Sequence, residues 1–194
     1  MKKLSYILLI VAGGLLLSGC QGYNRMVEKQ EAVTSQWGNV QNAYQRRADL
    51  IPNLVNTVKG YAEHEQETFT QVTEARAKAT QTNINPENLT AESLQEYQQA
   101  QNQLSQALGR LLLIQENYPE LKANQNFLEL QREISDTENK IQASRRFYNG
   151  NVREMNIKVH TFPSMIIASM LKFKEEPFFE MENEEERKNV KVEF

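Results

Sequence analysis

Residues 124–160 read NQNFLELQREISDTENKIQASRRFYNGNVREMNIKVH, a run with no proline and one glycine. Within it Phe127, Leu130, Ile134, Ile141, Tyr148, Val152, Met155 and Val159 recur at steps of three, four or seven. That spacing puts apolar side chains on one face of a helix with 3.6 residues per turn. Most of the other positions are polar or charged, so the stretch predicts one long amphipathic helix from about Asn124 to His160.

The same arithmetic organises the rest of the chain. Val33, Trp37, Val40, Tyr44 and Ala48 form one stripe. Asp49 is then expected to cap a new helix that carries Pro52 in its first turn, where no backbone donor is needed. Leu54, Val58, Tyr61, Phe69, Val72 and either Ala75 or Ala79 would line its buried face. Thr82 to Leu89 holds Asn83, Asn85 and Pro86 and reads as a break. Thr90 can cap the next helix, with Leu94, Tyr97, Leu104, Leu108, Leu111 and Leu112 inward and Tyr118-Pro119 at its end. One apolar face per helix is the pattern of a bundle. Helices of about 30 residues rise ~45 Å, and short connections make neighbours antiparallel. The expected fold is therefore all-α, an elongated antiparallel up-and-down four-helix bundle. Phe162 to Leu171 adds a short apolar helix, expected to seal one end. It could also lie on a membrane surface, but it lacks the cationic face of such helices.

Composition agrees. The 194 residues include eight glycines, four of them within the first 22 positions. A body so poor in glycine has few tight turns, which disfavours a many-stranded sandwich or barrel. Proline-bounded segments of similar length show no self-similarity, which excludes a helical repeat array. The formal charge is −3, from 22 Lys+Arg against 25 Asp+Glu, and no basic footprint for nucleic acid exists.

The N-terminus reads as an address. Lys2 and Lys3 precede an apolar stretch from Leu4 to Leu17, short for a spanning helix and suited to a signal peptide. It ends in Leu17-Ser18-Gly19-Cys20, which resembles the bacterial lipobox, and Cys20 is the sole cysteine. The reading is a signal at residues 1–19, lipidation at Cys20, a bundle over 20–171 and an acidic tail over 172–194. Gln21 after the cysteine favours the outer membrane if the cell has two membranes.

Three blocks carry a family resemblance. They are Tyr44-Gln45-Arg46-Arg47-Ala48-Asp49-Leu50-Ile51-Pro52-Asn53-Leu54 onward to Ala62; Ala107-Leu108-Gly109-Arg110-Leu111-Leu112 leading to Glu116-Asn117-Tyr118-Pro119-Glu120-Leu121; and Thr137-Glu138-Asn139 through Arg145-Arg146-Phe147-Tyr148-Asn149 to Thr161-Phe162-Pro163-Ser164. In this order they resemble the LemA family. The resemblance covers roughly residues 23–194. It implies a bromodomain-like four-helix bundle tethered to the envelope membrane, and it brings no catalytic residues. Many members carry an N-terminal transmembrane helix, where this chain offers a lipobox.

Constellations for chemistry are missing from the sequence. His64-Glu65 opens an H-E-x-x-H frame, but position 68 is threonine. Neither His64 nor His160 has a glutamate three residues earlier, as a di-iron bundle requires. No G-x-S-x-G or glycine-rich phosphate loop exists. The expectation is no catalytic residue, no cofactor and no metal. Arg46, Arg47 and Asp49 make the densest polar corner. It reads as a local cap and ion pair or, functionally, as a partner surface at one end of the bundle. Glu175 to Glu186 holds seven glutamates and reads as a solvated tail. Val190, Val192 and Phe194 alternate at the C-terminus in the form of a peptide that adds a strand to a partner. The overall expectation is a non-enzymatic, membrane-anchored envelope lipoprotein that acts as an interaction or scaffold module with an envelope protein partner. The alternative is an accessory or substrate-presenting subunit of a membrane protease or other envelope enzyme.

Overall fold

The computed structural model describes residues 2–82 and 84–179. Six α-helices are found among them: α1 (Lys2–Lys59), α2 (Gln66–Gln81), α3 (Ala91–Leu113), α4 (Pro119–Lys122), α5 (Gln125–His160) and α6 (Ser164–Leu171). Short 3₁₀ turns at Pro86–Asn88 and Ile114–Asn117 complete the path. No strand occurs among the described residues.

Side-chain pairs fix the directions of the long helices. Lys29 meets Glu154 and Arg47 meets Glu138, so α1 and α5 run antiparallel. Lys78 and Gln103 pair α2 with α3, while Trp37 with Tyr97 and Arg47 with Ser105 set α3 parallel to α1. The topology is up-down-up-down, as the short connections require.

Two helix starts follow from local chemistry. Thr90 Oγ1 accepts from the Ser93 amide at 3.1 Å, and Ser93 Oγ accepts from the Thr90 amide at 3.0 Å. This reciprocal pair satisfies two donors that the first turn of α3 leaves open. Asn124 Oδ1 accepts from the Phe127 amide at 2.9 Å and starts α5.

The first helix departs from expectation. Asp49 caps nothing: it lies inside an unbroken α1, exposed, and accepts from Gln45 Nε2 at 2.8 Å. The chain turns ten residues later, around Gly60 to Glu65, and Tyr61 falls in that turn at 38 % exposure rather than in the core. Pro52 therefore sits in the helix body, where its missing N–H strands the Ala48 carbonyl. Arg76 on α2 supplies the donor instead, with Nε 2.7 Å from the Ala48 oxygen.

The apolar interior forms two clusters. One joins Leu54, Val58, Phe69, Leu104, Leu111, Phe127 and Ile134. The other joins Met26, Val33, Trp37, Tyr97, Ile141, Tyr148 and Met155. Helix α6 packs on the second cluster through Ala168 and Ile167. It seals only in part: Met165, Ile166, Met170 and Leu171 remain exposed, as does Phe162 before it. A Cβ added at Gly22 would lie 2.4 Å from Ile167 Cδ1, the flexible end of that side chain, so α6 lies close against α1 here.

Arg76→Ala should destabilise the protein by about 1–3 kcal/mol, the cost of a buried carbonyl left unpaired. In a Pro52→Ala background residue 52 regains its N–H, and the same change should cost less. A urea-denaturation double-mutant cycle that finds the two substitutions additive would refute the pairing.

Candidate functional site

Three places in the bundle gather polar or exposed apolar side chains in ways that packing alone does not require. They are a buried polar layer, the end that carries Cys20, and a C-terminal segment laid along α5.

The polar layer centres on Arg47, which is 1 % exposed. Its Nη1 donates to Glu138 Oε1 at 2.6 Å and Ser105 Oγ at 2.7 Å. Its Nη2 donates to Gln101 Oε1 at 2.7 Å and to the Gln101 carbonyl at 3.1 Å. The guanidinium carries five N–H groups, and these four bonds occupy all but Nε, which has no partner. The Tyr44 ring lies 5.1 Å from the guanidinium carbon. Gln101 in turn donates from Nε2 to the Ala79 carbonyl at 3.2 Å, near the C-terminus of α2. One side chain of α1 thereby holds α3 and α5 directly and α2 through Gln101. The neighbouring Tyr97 hydroxyl has its pKa raised, chiefly by burial.

The expected corner thus divides. Arg47 faces the interior between the two apolar clusters, which removes it from any surface for a partner. Arg46 stays exposed and pairs with Glu133 at 3.1 Å. Asp49 is exposed one turn away. The corner lies along the middle of the bundle, not at its end. Val190, Val192 and Phe194 lie outside the described residues.

At the other place, Cys20 stands within α1 close to the start of the packed bundle. A cavity of about 330 Å³ opens beside it, lined by Gln21, Gly22, Arg25, Lys158, Phe162 and Ile167, among others. The start of α6, Ser164 and Ile167, borders this cavity with the exposed Phe162 before it. Tyr23 stands beside Phe173, their ring centroids 6.2 Å apart. Lys172 and Lys174 follow α6 on the exposed surface. Among the described residues no helix is long and apolar enough to cross a membrane. None of the described His, Cys, Asp and Glu residues gather in groups of three or more that could hold a metal ion.

The third place was not legible in composition. Glu175 opens the acidic run and is itself exposed, yet Phe173, Glu176, Pro177 and Phe179 pack against the bundle. Phe179 is 3 % exposed, stacked on Trp37 at 5.8 Å and edge-on to Tyr148 at 5.3 Å. The Tyr148 hydroxyl donates to the Pro177 carbonyl at 3.0 Å. Burial raises the pKa of the Glu176 carboxyl, and burial followed by the charge of Glu176 raises that of Tyr148. His160 pairs with Glu175 near the start of this segment.

The family model for the LemA family matches residues 36–194. The chain belongs to the LemA family. It is 28 % identical over 148 residues to Protein LemA of Metamycoplasma hominis, covering 76 % of this chain and 64 % of that protein. It is 23 % identical over 175 residues to Magnetosome protein MamQ 2 of Paramagnetospirillum magneticum, covering 81 % of this chain and 64 % of that protein. Magnetosome protein MamQ of Magnetospirillum gryphiswaldense matches at 23 % over 174 residues, with the same coverage. The chain spans just under two thirds of the length of these relatives.

Two predictions separate these sites. Arg47→Ala should cost about 1–3 kcal/mol, because it leaves the buried Gln101 side chain without its donor, whereas Arg46→Ala should cost no more than about 1 kcal/mol at its exposed pair. Equal shifts in the urea midpoint would contradict the burial contrast. Glu176 has a raised pKa in the folded chain, so its neutral form is favoured there. Its contribution should therefore improve as pH falls through that raised value and be weakest at neutral pH. Glu176→Gln should raise Tm at pH 7 and flatten the Tm profile across the mildly acidic range; a profile identical to wild type would contradict this.

Proposed function

We propose that this LemA-family chain is a membrane-associated protein of the bacterial envelope. In this reading it is a lipoprotein acylated at Cys20, and its bundle is a non-enzymatic interaction or scaffold module close to the bilayer. The observation that carries the reading is the convergence at one end of the molecule. The cysteine of the lipobox lies two residues from Gly22, against which α6 packs. On that helix Met165 is 47 %, Ile166 51 %, Met170 76 % and Leu171 52 % exposed. Contiguous apolar residues on a surface mark a place where something other than water is met. Arg25, Lys158, Lys172 and Lys174 around this edge suit the negative surface of anionic lipids. Acyl chains on the cysteine add ~0.8 kcal/mol per buried CH₂, and two chains or one chain with a second contact give stable anchoring. The edge of α6 supplies such a contact.

Metabolic labelling with an alkyne fatty acid tests the anchor. Wild type should carry the label, migrate at the processed size and stay with membranes after a carbonate wash. Cys20→Ala should lose the label and migrate at the unprocessed size. An unlabelled wild type would overturn the lipoprotein reading. Ile166→Glu with Met170→Glu should lower the binding of the chain to anionic vesicles several-fold, and unchanged binding would remove α6 from the membrane contact.

A further inference from the structure

Two asparagines on α5 hold the C-terminal segment by its backbone. Asn156 Oδ1 accepts from the Glu176 amide at 2.9 Å while its Nδ2 donates to the Glu176 carbonyl at 2.9 Å. Asn149 repeats the arrangement with Phe179, accepting at 2.9 Å and donating at 3.1 Å. A side-chain amide that offers one acceptor and one donor to a single residue copies the pairing of a neighbouring β-strand. The repeat distance fits. Seven residues of helix rise about 10.5 Å, and three residues of extended chain span about 10 Å. Two asparagines seven apart on one helix face therefore match residues three apart in an extended peptide running antiparallel to α5.

The clamp has a side-chain slot beside it. Phe179 enters between Trp37 and Tyr148, and the Arg145 guanidinium lies 5.1 Å from its ring centroid. Main-chain bonds give such a site affinity for any extended chain, and the slot gives it specificity for an aromatic residue. The occupant lies outside the helical bundle proper, with no secondary structure of its own from Phe173 to Phe179. It joins the bundle through Lys172, a non-glycine residue held at φ 60°. Backbone strain of this kind costs ~1–3 kcal/mol and sits at the hinge that an exchange would open. Strained hinges invite exchange of identical segments between copies.

We propose that the α5 face carrying Asn149 and Asn156, with the aromatic slot at Trp37 and Tyr148, is a peptide-docking site. Its own segment 173–179 fills it within one chain, and the same segment of a second copy fills it in exchange. The proposal deepens the interaction-module reading and rests on it, naming a second copy as partner. It makes no use of lipidation.

Complementation between two disabled full-length chains tests it. In one, Glu176→Pro with Phe179→Pro removes both backbone donors and the aromatic group but leaves the groove intact. In the other, Asn149→Ala with Asn156→Ala disables the groove but leaves the segment intact. Sedimentation in density-matched detergent should find each variant alone as a single chain. The mixture should place half or more of the protein in a two-chain species. A mixture that stays single-chain, with helix content unchanged in both variants, would overturn the proposal.

If either variant fails to fold, hydrogen exchange on wild type decides. The amides of Glu176 and Phe179 should exchange at least tenfold faster than core amides of α1 and α5, as a displaceable segment requires. Exchange at the core rate would make the segment a fixed part of the fold and overturn exchange between copies. Either result leaves the outcome of the Cys20 labelling untouched, so failure here is distinct from failure of the anchoring.

Discussion

The buried guanidinium of Arg47 constrains everything around it. A cation in a protein interior is tolerated only where hydrogen bonds and an opposite charge replace its water. Here Glu138, Ser105 and Gln101 do so, and they come from two other helices. Sliding α3 or α5 by one turn, about 5.4 Å, would break these bonds while leaving many apolar contacts equivalent. Apolar stripes alone specify that helices pack, but they tolerate alternative registers. The polar layer between the two apolar clusters selects one, in the manner of a buried polar residue in a coiled coil. The aromatic network around Trp37, the loop it holds through the Ile84 carbonyl at 3.1 Å and the C-terminal segment all inherit their positions from that register.

What could be read in the sequence was whatever depends on near neighbours. Thr90 starts α3, the run from Asn124 to His160 is one helix, and Val33, Trp37, Val40, Tyr44 and Ala48 are buried together. Periodicity and capping act over three or four residues, so the chain displays them locally. Long-range compensation was invisible. Pro52 reads as a helix start because its defect is visible at once, whereas its remedy, Arg76, lies 28 residues from the carbonyl it serves. Arg47 reads as a surface charge because Glu138 lies 91 positions away.

The C-terminal segment illustrates a second limit. Its glutamates suggest solvation, since charge density usually decides whether a segment can order. Recognition here bypasses its side chains in large part, because Asn149 and Asn156 read peptide groups that every residue carries. Composition has no signature for that. The two asparagines seven apart on a helical face would have been a usable signal only alongside knowledge that α5 presents them outward to a free segment.

The unbroken course of α1 past Cys20 and through both apolar clusters has a mechanical consequence. From Cys20 to Lys59 it rises about 58 Å at ~1.5 Å per residue. No glycine- or proline-rich joint lies between Cys20 and the packed body, so the first residues after the cysteine already belong to a stiff shaft. Most tethered domains sweep a wide volume on a loose cord. Acylated at Cys20 as proposed, this one would be mounted like a mast: its far end, where Tyr61 bonds Asn124, would stand at a set height, and a tilt at the base would become a large lateral travel at the tip.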